Sequence, residues 1–70
     1  MFRFELGRLL KEQGISQSEL SAISGVRRAR INQICNEKNV SRVEMWHIDA
    51  ICNALGVEPW HWIKWEPDEE

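Results

Sequence analysis

Seventy residues make one domain at most, and 43% hydrophobic content supports one compact core without a deep substrate cleft. Nine basic against eleven acidic groups leave a net charge of −2, the wrong sign for a bulk polyanion binder. No apolar run approaches the roughly 18 residues of a membrane span, and Met1-Phe2-Arg3-Phe4-Glu5 opens no signal-peptide apolar region.

The spacing predicts helices along the whole chain. Leu6, Leu9 and Leu10 stand at helical intervals and meet a stop at Gly14, giving a first helix over about 4–13. Ser16 is an N-cap, and Glu19 three residues on completes a capping box. The second helix then covers 17–24, with Leu20 and Ile23 inward, and Gly25 stops it before Val26 returns to the core. A third helix covers 28–36. At about 100° per residue, Ile31, Ile34 and Cys35 share one arc, while Arg28, Ala29, Asn32, Gln33 and Asn36 share another. Residues 37–42 read as a loop. The fourth helix covers 43–55 with Met45, Ile48, Ile51, Cys52 and Leu55 inward, and Gly56 ends it. Pro59 opens a short fifth helix to about Lys64 that carries Trp60, Trp62 and Ile63. Phe2-Arg3-Phe4 and Trp62-Ile63-Lys64-Trp65 each alternate apolar and basic residues. They pair as a short β-bridge or pack as two loose ends; both readings stand. The fold class is all-α with five helices.

Charge is unevenly distributed. Residues 27–42 hold Arg27, Arg28, Arg30, Lys38 and Arg42 against Glu37 alone, a local net of +4. Residues 58–70 set Lys64 against Glu58, Glu66, Asp68, Glu69 and Glu70, a local net of −4. Local charge steers a partner, whereas net charge mostly sets solubility. A solvated basic loop is the plain alternative. The domain spans 1–65, and 66–70 is a short acidic tail, expected to be disordered at Asp68-Glu69-Glu70, that aids solubility or repels a polyanion.

Leu20, Gly25, Val26, Ile31 and Ile34 are spaced as a helix-turn-helix requires, with small Ser21 permitting a close helix crossing and Gly25 a left-handed turn. The ordered set Ser16-Gln17-Ser18-Glu19-Leu20-Ser21, Ser24-Gly25-Val26, Ile31-Asn32-Gln33-Ile34 and Asn36-Glu37-Lys38 resembles the Cro/repressor-type (Xre-like) helix-turn-helix family of phage repressors and bacterial regulators. Asp49 to Val57 is similar to its fourth helix and Trp60 to Ile63 to its fifth, so the resemblance covers roughly 4–65. It implies a lambda-repressor-like DNA-binding domain. The ending resembles a compact subgroup without a following ligand-binding or oligomerisation domain.

The resemblance implies that the third helix enters the DNA major groove. Its outer arc has suitable chemistry for base reading. Arg28 can donate two bonds to guanine, Gln33 can pair with adenine, Ala29 can touch a thymine methyl, and Asn32 is a second polar reader. Gln17, Asn36 and Lys38 match family positions near the sugar–phosphate backbone, and Arg42 is a phosphate candidate by charge. Arg27 stands where the family usually has a Ser or Thr N-cap. With Arg28 and Arg30 it places cations at the positive end of the helix dipole, a local cost that a passing polyanion reverses. Arg27 and Arg30 are therefore expected on phosphates; neutralisation by Glu19 or Glu37 is the alternative.

Leu10 and Cys35 match positions where the family often has a buried ion pair, and packed apolar groups replace such a pair at little cost. Cys35 and Cys52 read as small core residues of a protein in a reducing cytoplasm. They form no zinc set with His47 and His61. Among four tryptophans, Trp62 reads as core and at least one other as interface. Relatives commonly dimerise through the fourth and fifth helices, which implies Val57, Glu58 and Trp60 near a twofold contact. The expected function is a sequence-specific DNA-binding regulator, a phage-like repressor on double-stranded DNA, homodimeric at least there. The alternative is a protein-interaction module such as an antitoxin or antirepressor. No catalytic set, cofactor, metal, membrane or small-molecule ligand is expected.

Overall fold

The computed structural model describes residues 1–36 and 42–68. The described elements are a strand β1 (Phe2–Phe4), helices α1 (Leu6–Gln13), α2 (Gln17–Ser24), α3 (Arg28–Asn36) and α4 (Met45–Leu55), a 3-10 turn (Pro59–His61) and a strand β2 (Ile63–Trp65). α2 packs against both α3 and α4, and α1 against α3. Leu6, Leu20, Val26, Ile31, Ile34, Ile51 and Trp62 are fully buried where these elements meet.

The helix ends follow from short-range chemistry. Ser16 Oγ accepts from the Glu19 amide at 3.0 Å, and a Glu19 carboxylate oxygen accepts from the Ser16 amide at 3.1 Å, so the expected capping box starts α2. Gly25 ends it at φ 80°, a left-handed conformation that L side chains adopt only with strain. α1 and α4 stop in the same manner, at Gly14 and Gly56.

Two residues expected inside are outside. Ile23 is 58% exposed and Met45 80%. On α2 the inward stripe is Gln17, Leu20, Ser21 and Ser24, at i, i+3, i+4 and i+7, and Ile23 falls beside it. The two serines face inward because they hold the turn. Ser21 Oγ donates to the Val26 carbonyl at 2.7 Å, and the Val26 amide donates to Ser24 Oγ at 3.1 Å. On α4 the helix begins at Met45, not at 43, and its first turn overhangs the core. Val43 and Ile48 take the hydrophobic-staple positions on either side of Glu44, both half-buried against the core.

The fifth helix is not formed as expected. Only the single turn Pro59–His61 is helical, and Trp62 leaves it at φ −136° to bury its indole fully. From there the chain is a strand. β2 pairs antiparallel with β1 in the register Phe2↔Trp65, Arg3↔Lys64 and Phe4↔Ile63. The bridge between the ends is therefore formed, and it starts α1 at Leu6 and not at 4. Strand pairing takes the backbone groups that a longer fifth helix would need. Phe4 and Ile63 turn one ribbon face to the core, and Phe4 lies 6.1 Å from Trp62, ring centre to ring centre. Arg3 and Lys64 stand opposite each other, an unfavourable like-charge pair. Glu66 offsets it at 3.1 Å from Arg3, while Lys64 Nζ donates to the Trp60 carbonyl at 2.7 Å. The Glu66 amide donates to the Met1 carbonyl at 3.0 Å, and Asp68 lies 3.2 Å from the N-terminal amine. Glu69 and Glu70 lie outside the described residues.

Candidate nucleic-acid interface

α3 is anchored from beneath and open above. Ile31 and Ile34 are fully buried, which fixes the rotation of the helix about its axis. That rotation leaves Arg28, Ala29, Asn32, Gln33 and Asn36 exposed along one side, as the arc arithmetic predicts. The turn from α2 sets where the helix starts. Gly25, the two serine bonds to Val26 and the Leu20 side chain together hold α3 against α2. Gly7 of α1 faces Cys35 on the other flank at ordinary packing distance. A Cβ there would lie 3.7 Å from Cys35 Cβ.

The positive end of α3 carries no counter-charge of its own. Its first turn holds no acidic residue. The Arg27 carbonyl accepts from the amides of Arg30 and Ile31 at 3.0 and 3.1 Å, so Arg27 starts the helix through its backbone. The ion pairs among the described residues use Arg3, Arg8 and the N-terminal amine, and none uses Arg27, Arg28, Arg30 or Arg42. Glu19, one of the two neutralisers of the alternative reading, is engaged in its capping box. Glu37 and Lys38 lie outside the described residues.

The remaining candidates divide into those near α3 and those away from it. Gln17 is the first residue of α2, half-buried at that helix's N-terminus. Arg42 is exposed, and its backbone carbonyl accepts from the Arg30 guanidinium. Val57, Glu58 and Trp60 gather after α4, at the far end of the chain from the turn. Trp60 is 65% exposed, with its indole nitrogen donating to the Glu58 carboxylate, and Val57 is half-buried.

Sequence reasoning missed a set of contacts on α3. The Arg30 guanidinium donates to the Gln33 carboxamide oxygen as well as to the Arg42 carbonyl. The Asn36 amide nitrogen donates to Asn32 Oδ1 at 2.5 Å. The two side-chain pairs stand at i,i+3 and i,i+4, the spacings at which helix neighbours meet, so their signal was present in the sequence, whereas the Arg42 carbonyl is twelve residues from Arg30. Beneath them, Leu10 is buried and burial pushes the Cys35 thiol above its ordinary pKa, since a thiolate would lose hydration there. The place of the family's buried ion pair is thus apolar in this chain.

No helix among the described residues is long and apolar enough to cross a membrane. The family model of the Cro/C1-type HTH DNA-binding domain matches residues 5–68, nearly the whole chain. No curated protein matches it.

Proposed function

From the premise that the chain belongs to the Cro/C1-type HTH DNA-binding domain family, we propose that this DNA-binding regulator is a sequence-specific repressor. α3 lies in the major groove of a palindromic operator, with Arg28, Ala29, Asn32 and Gln33 toward the bases. Gln17, Arg27, Arg30, Asn36, Lys38 and Arg42 contact the flanking backbone. Two copies meet near Val57, Glu58 and Trp60, which places half-sites about one helical turn apart, roughly 34–36 Å. Repression follows from occlusion of polymerase, in the manner of a small switch protein of phage or mobile-element type acting in the cytoplasm. The observation that carries this reading is the outward side of α3. It is exposed and polar, and no described carboxylate pairs with its arginines.

Selection of bound duplexes from random DNA, at stated salt, tests it. Two related half-sites one turn apart are expected. Affinity for them should fall roughly 10³-fold between 50 and 200 mM salt if about six phosphates are neutralised. Equal affinity for a scrambled duplex would refute the reading. A second reading, a protein-binding module of the antitoxin or antirepressor kind, is favoured by Trp46, Trp60 and Trp65, which are 53%, 65% and 63% exposed. A complex held by those rings would be nearly indifferent to salt.

A further inference from the structure

The ribbon of β1 and β2 has an apolar face longer than the core beneath it. Residues two apart on a strand share a face, so Phe2 and Phe4 on β1 and Ile63 and Trp65 on β2 form one side, with Arg3 and Lys64 on the other. Phe4 and Ile63 pack on the core. Phe2 and Trp65, directly opposite each other, overhang it and are 60% and 63% exposed. A lone exposed ring needs no explanation, but two set side by side make a contiguous apolar patch, the mark of an interface.

Charge, symmetry and area select what covers the patch. Among the described residues, Arg3, Lys64 and the N-terminal amine stand about the ribbon against Glu5, Glu66 and Asp68. Glu66 lies 3.1 Å and Glu5 3.6 Å from Arg3, and Asp68 lies 3.2 Å from the amine. The rim is therefore balanced within one copy. It offers no excess of either sign to a charged partner, and two copies meet there without like-charge repulsion. Two residues directly opposite in an antiparallel pair are related by a local twofold. Half a turn lays Phe2 of one copy on Trp65 of the other and the reverse, as an isologous contact requires. Trp60 continues the surface along the chain, since Lys64 Nζ reaches its carbonyl at 2.7 Å. The exposed parts of these three rings amount to roughly 300–450 Å² per copy, about 600–900 Å² for a pair. That is just short of the roughly 1,000 Å² of a stable free dimer, so the contact is weak in solution and sufficient when one duplex holds both copies at an effective concentration near ~1 mM.

We propose that the Phe2–Trp65 face of the ribbon is a self-association surface on which a second copy of this chain docks ring against ring, extending the twofold contact near Trp60. Its role on DNA rests on the reading of α3 as the groove-entering helix; the association itself does not.

Sedimentation equilibrium of the protein alone, up to ~1 mM, tests the association. The parent should pass from monomer toward dimer with a constant that barely responds to salt. Phe2→Lys and Trp65→Glu, each checked for parental folding by thermal melt, should each weaken the dimer at least about tenfold. An equal mixture of the two should associate again, because the twofold sets the introduced ammonium on the introduced carboxylate in one contact and keeps the two rings together in the other. Phe2→Thr, which keeps strand propensity, is the further variant and should weaken the dimer without adding charge. A parent that stays monomeric at ~1 mM, variants that dimerise as the parent does, or a mixture that fails to recover would each overturn the proposal. On a duplex with two half-sites the variants should lose cooperativity while keeping the parent's affinity for a single half-site. A parent that binds no duplex selectively would overturn the reading of α3 and leave the sedimentation result to decide the ribbon.

Discussion

One substitution made at two glycines should give opposite results. Gly25 sits at φ 80° in the turn between α2 and α3, with no atom within 4 Å of where a Cβ would stand. Alanine there meets no neighbour, so its cost is local: about 1–2 kcal/mol for an L residue in the left-handed region. Loss of unfolded-chain entropy returns about 0.4–1 kcal/mol of that, leaving a net destabilisation of about 1 kcal/mol. Gly7 lies in α1, and a Cβ there would meet Cys35 Cβ at 3.7 Å and the Cys35 carbonyl oxygen at 3.8 Å, ordinary van der Waals distances. Gly7→Ala therefore gains helix propensity without a clash and should stabilise by about 0.5–1 kcal/mol. Urea and thermal melts at one pH read both effects. In a domain of this size each kcal/mol corresponds to about 4–8 °C in Tm, down for Gly25→Ala and up for Gly7→Ala. Gly25→Asn should lie between the parent and Gly25→Ala, since asparagine tolerates the left-handed region. Shifts of the same sign at both glycines would refute the reasoning, because they would place the cost in packing and not in the backbone.

Other perturbations separate the roles assigned above. Leu20→Ala should cost about 2–5 kcal/mol as a core truncation, while Ile23→Ser should stay within about 0.5 kcal/mol of the parent in the same urea melts. A large loss at Ile23 would contradict its exposed position on α2. Arg42→Ala keeps the carbonyl that holds Arg30, so it should weaken all duplexes alike in titrations and lower the salt slope by about one. A defect confined to one base position would rule out a phosphate role. With the Cys35 pKa raised by burial, less thiolate is present at pH 8 than on an unhindered thiol. Alkylation of Cys35 in a Cys52→Ala background should accordingly run slower than that of an unstructured cysteine peptide, and equal rates would contradict the packing around Gly7 and Leu10.

Local chemistry made α2, its capping box, the stop at Gly25 and the outward side of α3 legible in the sequence. Each depends on bonds or angles spanning three or four residues, and those are written in adjacent letters. Ile23 and Met45 were misplaced because an apolar residue near a helix's inner stripe is buried only if another element covers it. On α2, two serines took the inward positions to hold the turn. The fifth helix became a strand because Phe2–Phe4 lies opposite Ile63–Trp65, a pairing across nearly the full length of the chain that the alternation at each end allows but does not decide. Arg30 was likewise decided at a distance, by a carbonyl twelve residues away. The sequence alone determined the first four helices, to within a turn at their starts, and which side of α3 faces out. The tertiary structure decided what covers each segment and which polar atoms are already occupied, since both depend on neighbours that only folding brings together.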